Sequence, residues 1–453
     1  MIRLISSSYS ELLTRPVIAT ALLAVVVIAS RLPFLGTGYG LDADAWRVAW
    51  AAQSIAAGGE YVASRLPGYP VQELASSLLI QGGPWALNGA SALFSVVAVI
   101  FFAMTLRTLG FKDHLVGGLA LAFTPLVYVN SVSSMDYVWA LAFMMASLYY
   151  IITARWVIAG IFLGLAIGCR ITSAALLLPL AWLTFYRKPA RPLVSILKLT
   201  LGALLIGTIA FLPLIFKYGW DFLTFVDPSY PDALRIIRMA TVQVWGRIGL
   251  SVILAALLGM AFWRGVFTER TGDSRLWLLS PTPWLLAIGV YYIIFLRLPH
   301  DAGYLIPTVP FVILLLARYL RRRFFAIVTL ALILSCFVSI SRSRGICRGS
   351  VLYDRATRIE NMTFARKALA AADVLPEKSV VVSGWWQRQI QVLLPFDSPK
   401  RRAWVYLIEE PTANHLVDSG YALYYLPGMN KYNQQVHDFD LVRYGASSLL
   451  EEE

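Results

Sequence analysis

Long apolar runs recur along this chain from residue 16 almost to residue 341, separated by short polar or basic clusters. A bilayer core takes about 20 mostly apolar residues per helix. The runs predict spans near 16–35, 84–106, 115–133, 136–154, 156–169, 171–186, 194–216, 245–266, 281–297, 302–319 and 324–341. The fifth and sixth form one stretch broken only by Gly168, Cys169 and Arg170, which reads as a short hairpin or as one long helix. No small-residue cleavage site follows the first run, so it reads as a retained helix. From about 342 the pattern changes. An amphipathic stretch near 354–373 precedes four short β-like runs, KSVVVSG, RAWVYLI, GYALYYL and DLVRYG, with helical or turn-rich pieces between them. The expected fold is an α-helical polytopic membrane protein with about eleven transmembrane helices over 1–341 and a small C-terminal α/β domain over 342–453. The first long loop, 36–83, is expected to carry two interfacial helices.

Composition agrees with this pattern. The 453 residues are 58% hydrophobic and 14% charged, against about 45–50% and about 25% in an average soluble domain. The formal charge of +13 comes from scattered Lys and Arg that form no continuous basic face, which excludes a nucleic-acid partner. Those basic residues instead give the helices a direction. Alternate connections hold Arg3 and Arg15, Arg107 and Lys112, Arg155, then Arg187, Lys188 and Arg191, then Arg264, Arg270 and Arg275, and finally Arg318 and Arg321 to Arg323. Cytoplasmic loops carry the Lys and Arg excess, so this side is cytoplasmic, as is the N-terminus. The alternation holds only if 156–186 is two spans. The C-terminal domain then lies outside the cytoplasm, with a plasma or inner membrane as the expected location. Cys169, Cys336 and Cys347 have neither the number nor the spacing of a disulfide framework or a zinc site. No Gly-rich phosphate loop follows any C-terminal β-like run, which argues against a nucleotide site.

The first outer loop, GLDADAWRVAWAAQSIAAGGEYVASRLPGYPVQEL, holds most of the candidate chemistry. Asp42 and Asp44 follow the first span directly, where a partly buried carboxylate can act as a general base; a solvated loop or a helix cap is the bland reading. Residues 45–57 predict an amphipathic helix ended by Gly58 and Gly59, and Pro67 and Pro70 a rigid turn before a second short helix. Asp136 opens the fourth span, as functional acid or dipole partner. Arg47, Arg65, Arg170, Lys217, Arg235, Arg238, Arg247 and Arg297 fall on the side that the positive-inside rule depletes, where they can meet lipid headgroups or a phosphate. His300, beside Asp301, reads as a ligand, a phosphate contact or a cap.

In order and spacing these residues resemble the GT-C superfamily of membrane glycosyltransferases, in particular the family 39 branch of protein O-mannosyltransferases and lipid A aminoarabinose transferases. In that branch a catalytic Asp follows the first helix, with an Arg one helical turn on, a Gly closing the interfacial helix and a Pro-rich turn after it. Asp44, Arg47, Gly58 to Gly59 and RLPGYP stand in that order here, and Asp136 matches a second Asp that opens the fourth helix. The run WVIAGIFLGLAIGCRITSAALLLPL resembles the branch's Gly-rich fifth helix, with Arg170 at its usual Lys position. HDAGYLIPTVPFVILL resembles its late His-x-x-x-Tyr-Leu-x-Pro stretch and brings in His300 and Tyr304. The resemblance covers about the first 320 residues. Two departures matter. Asp-Ala-Asp replaces the branch's Asp-Glu pair, which makes Asp42 a rival to Asp44 as base, and Ser64 stands where an acidic residue often precedes the Pro-rich turn, which leaves a metal site open.

The resemblance implies transfer of a sugar from a polyprenyl-phosphate donor to an acceptor hydroxyl on the outer face, with inversion. Asp44 or Asp42 is the expected base, and Asp136 orients the acceptor or a base partner. Arg47, Arg65, Arg170, His300 and Tyr304 are the expected substrate and phosphate contacts. The acceptor is a glycan, lipid or protein. No cofactor is required, and a divalent metal is left open. The competing reading is a transporter or flippase of lipid-linked sugars, which predicts inverted repeats; the sequence contains no internal repeat.

Overall fold

The computed structural model describes residues 16–451 apart from 188, 224–229, 263–279, 342 and 344. Of the basic residues that set the expected orientation, Arg3, Arg15, Lys188, Arg264, Arg270 and Arg275 lie outside the described residues. The chain begins with α1 (Pro16–Arg31), and the loop after it carries α2 (Ala43–Gly58) and α3 (Pro70–Leu79). The long α4 (Gly83–Thr108) follows, then α5 (His114–Ala122) and α6 (Pro125–Asn130), then α7 (Tyr137–Ile152) and α8 (Trp156–Cys169). Next come α9 (Leu177–Tyr186), α10 (Pro192–Tyr218), α11 (Ala233–Arg238), α12 (Arg247–Phe262), α13 (Thr282–Arg297), α14 (Val309–Tyr319) and α15 (Arg322–Phe337). Each apolar segment expected from the sequence coincides with helix.

Among the described residues, four helical stretches are long and apolar enough to cross a membrane: Val17–Phe34, Pro70–Thr108, Pro192–Tyr218 and Ala302–Tyr319. A fifth is the pair Ala233–Gln243 and Arg247–Gly259, bent by 84°. Shorter apolar helices accompany them. The chain is an integral multi-pass membrane protein, mostly helical, with an α/β region at its C-terminal end.

The breaks have local causes. Pro125 has no N–H to donate and starts α6 afresh, so the expected span 115–133 is two helices. Arg170 takes an extended backbone, φ −154° and ψ 118°, which separates α8 from the short 3-10 turn that leads into α9. The run 156–186 is therefore two elements. The closest helix packing joins α8 to α10: a Cβ on Gly160 would lie 2.5 Å from the Leu199 carbonyl oxygen and 3.1 Å from the Gly202 Cα. Small residues permit that approach in a lipid environment.

The last apolar helix ends at Phe337, four residues before the expected limit of 341. There the chain turns into an antiparallel hairpin of β1 (Val338–Ser341) and β2 (Gly345–Arg348). The helix α16 (Ser350–Ala372) then links two cores. Its Val351 packs with the apolar helices, and its Ala365 and Ala368 pack with the sheet. That sheet contains β3 (Ser379–Val382), β4 (Trp404–Val405), β5 (Ala422–Tyr425) and β6 (Ser447–Ser448), all parallel in the order β4-β3-β5-β6. Between the strands lie α17 (Gln387–Leu393), α18 (Glu410–Asp418) and α19 (Met429–His437). Three of the four expected β-like runs contain strands. The fourth, DLVRYG, is a turn: the Asp440 carboxylate accepts from Val442 N at 3.1 Å, and Leu441 N donates to Asn430 Oδ1 at 2.9 Å, so its backbone groups are taken before a ladder can form. The fourth strand comes just after it.

Candidate active site

The site begins at the first turn of α2. Asp42 caps this helix, accepting from Asp44 N at 2.8 Å. Asp44 lies within the first turn and Arg47 one turn on, with Arg47 Nη1 3.1 Å from Asp44 Oδ1. The opposite face of α2 is buried through Trp46, Val48 and Ala49 and fixes the helix. Gly59 ends it in the left-handed region at φ 70°, where a side chain would be strained.

The chain from 59 to 69 is held by one carboxylate that the sequence reading passed over. Glu73 of α3 is fully buried and accepts from Ser64 N at 2.7 Å, Ser64 Oγ at 2.5 Å, Tyr69 N at 3.0 Å and Tyr61 Oη. An acid inside the apolar run VQELASSLL was the available signal. Glu73 thereby sets the position of Arg65, whose guanidinium stacks 4.0 Å from the Tyr69 ring centre.

Arg65 joins the expected acids. Its Nε lies 3.0 Å from Asp44 Oδ2 and its Nη2 2.8 Å from Asp136 Oδ1. Asp136, immediately before α7, is completely buried and makes no capping bond; its other oxygen accepts from Arg170 Nη1. Arg170 is 3.8 Å from the centre of the Tyr137 ring and 4.9 Å from that of Tyr304, a cationic head held on aromatic faces. Asp44, Arg65, Asp136 and Arg170 thus form one continuous ion-pair chain, flanked by Arg47 and Tyr304. Six of the eight expected site residues meet here.

The other two lie to one side. Asp42 Oδ1 takes the capping bond, and Asp42 lines a cavity of about 760 Å³ together with Asp301, Arg238, Arg247, Asp354 and Arg358. Water reaches Asp42, but protein crowds it; desolvation, with the negative charges of Asp44 and Asp301, pushes its carboxyl up to about 6. His300 does not join the chain of ion pairs: its Nε2 is buried without a hydrogen-bond partner. Its neighbour Asp301 takes the inward place, accepting from Tyr137 Oη and from Gly303 N at 2.8 Å. A second, smaller cleft lies on the Arg47 and Arg65 side, against the C-terminal domain. Among the described residues no group of three His, Cys, Asp or Glu side chains is placed to hold a metal ion.

No protein-family model matches this chain, and no curated protein matches it. Six chains of solved structures do. One is ArnT from Cupriavidus metallidurans bound to undecaprenyl phosphate, at 16% identity and a TM-score of 0.43, covering 80% of this chain and 66% of that one. The apo state of the same protein gives 17% identity and a TM-score of 0.46, covering 80% of this chain and 65% of that one. This chain therefore spans a little less than two thirds of the length of ArnT. ArnT is a family 39 lipid A aminoarabinose transferase of the GT-C superfamily, the branch that the sequence resembles.

Proposed function

We propose that this chain is a membrane glycosyltransferase that moves a sugar from a polyprenyl-phosphate donor to an acceptor hydroxyl. The observation that carries this reading is the ion-pair chain Asp44–Arg65–Asp136–Arg170 beside a cavity lined by Asp42. Carboxylates for proton transfer and guanidinium groups for a leaving phosphate stand within one constellation, as a single displacement requires. Eleven membrane crossings, with the N-terminus cytoplasmic and the α/β region outside, place that constellation at the outer face, where a lipid-linked sugar is presented.

In this reading Asp42 takes the proton of the acceptor hydroxyl. The acceptor oxygen attacks the anomeric carbon from the face opposite the phosphate, the bond from that carbon to the phosphate oxygen breaks, and polyprenyl phosphate leaves with the electron pair. The configuration inverts. Arg47, Arg65 and Arg170 stabilise the negative charge that develops on the phosphate. Asp42 is preferred as base because both Asp44 oxygens already face guanidinium groups, at 3.1 Å and 3.0 Å, whereas Asp42 has one oxygen outside its capping bond. The second reading, Asp44 as base, is favoured by its place in the family pattern; an incoming phosphate that drew off Arg47 and Arg65 would release it. Transfer by purified Asp42→Asn and Asp44→Asn variants separates the two. The base variant loses about 10²–10⁴-fold in rate, and transfer retained by both variants would defeat the reading.

A further inference from the structure

The cleft of about 330 Å³ on the far side of Arg47 is lined by three guanidinium groups, those of Arg47, Arg65 and Arg388, and by no carboxylate. Two come from the outer loop and the third from α17 of the C-terminal domain. Arg388 is held in place: it lies 3.7 Å from the centre of the Trp50 ring, and its Nη1 donates to Gln391 Oε1 at 2.8 Å. Like charges gathered this way oppose one another. Burial first, then the positive charges of Arg47 and Arg401, pull the Arg388 guanidinium below its usual range. A second observation is independent of Arg388. Arg65 gives Nε to Asp44 and Nη2 to Asp136, and its Nη1 is buried with no partner at all. Trp385 and Tyr406 complete the lining with aromatic faces.

We propose that this cleft is a phosphate-binding site completed by the C-terminal domain, with Arg388 and the free Nη1 of Arg65 as donors to a phosphate monoester. Fixed, planar donors around a water-poor cleft are the chemistry that recognises such a dianion, and Arg388 makes the soluble domain part of the site instead of a lid on it. The inference deepens the transferase reading by naming what the outer cleft holds, yet its test needs no turnover, so each can fail without the other.

The experiment is calorimetric titration of the purified full chain in detergent with glucose 1-phosphate, inorganic phosphate and glucose, repeated with undecaprenyl phosphate already bound. Both phosphates bind and glucose does not; binding weakens with salt; and Arg388→Gln reduces phosphate affinity at least tenfold. Arg388→Lys, which keeps the charge and loses the planar fork, falls between the two and guards against a folding defect. Competition by undecaprenyl phosphate assigns the cleft to the lipid-linked phosphate, and simultaneous binding assigns it to a phosphate on the acceptor; either supports the site. Glucose binding as tightly as its phosphate, no phosphate binding, or wild-type affinity in Arg388→Gln would overturn it.

Discussion

Asp136 is the member of the ion-pair chain whose loss has the most readable consequence. It is 0% exposed and receives two guanidinium groups, Arg65 at 2.8 Å and Arg170 on its other oxygen. Asp136→Asn keeps the shape and removes the charge. Arg65 retains Asp44 at 3.0 Å, but Arg170, with its side chain 6% exposed, is left with aromatic faces alone. Removing one partner of a buried pair costs about 3–5 kcal/mol, because the other charge stays buried without compensation. At about 2–4 °C per kcal/mol for a large domain, thermal unfolding in detergent should fall by roughly 6–12 °C. Adding Arg170→Met removes the stranded cation and should return most of that loss, since replacing a whole buried pair by apolar groups is often close to neutral. Activity should not return, because the phosphate has lost Arg170. A stability change under about 1 kcal/mol in Asp136→Asn, or near wild-type transfer by the double variant, would refute the reasoning.

Because Asp42 is pushed up to about 6, the transfer rate should fall about tenfold per pH unit below that value, and a limb that stays flat to pH 4 would contradict the assignment. The sign for stability is the opposite of an ordinary salt-bridged Asp. A raised carboxyl stabilises the fold below its ordinary value near 4, and that contribution is lost as pH rises through 6, so Asp42→Asn should raise the melting temperature relative to wild type at pH 8 and not at pH 4. Glu73→Gln replaces one accepting oxygen by a donor, among four groups that all donate. It should cost about 2–3 kcal/mol and speed proteolysis within 59–69, and an unchanged cleavage rate there would count against Glu73 as the anchor of the loop. Gly160→Leu, whose Cβ would meet the Leu199 carbonyl at 2.5 Å, should destabilise the chain by about 1–3 kcal/mol, measured by thermal unfolding.

The apolar runs were legible because each helix must satisfy its own backbone in lipid, which leaves length and hydropathy as the signal. The interruptions at Pro125 and Arg170 were only partly legible. Proline marks a restart in any sequence, but Arg170 takes an extended backbone where Asp136, 34 residues earlier in the chain, draws its guanidinium. The catalytic loop was readable as residues and not as a network. Asp42, Asp44, Arg47, Arg65, Asp136 and Arg170 stood out because charges are costly near apolar helices, yet nothing local said that Arg65 would bridge Asp44 to Asp136, which lies 71 residues away. The preference for His300 over Asp301 came from the family pattern; in the folded chain Tyr137 selects Asp301. DLVRYG had strand propensity and lost it to Asp440 and Asn430, side chains that bond backbone locally. Arg388 carried no signal, since only the seating of α17 on α2 brings it to Arg47.

The central claim is that the chain breaks the bond between a sugar and polyprenyl phosphate. Purified protein in proteoliposomes, given a panel of polyprenyl-phosphate sugars labelled in the sugar and incubated with an envelope extract as acceptor, tests it most directly. Release of free polyprenyl phosphate should equal the label gained by the acceptor, and Asp42→Asn/Asp44→Asn should abolish both while still inserting. Label that stays on the lipid and only changes leaflet would identify a carrier and contradict the account.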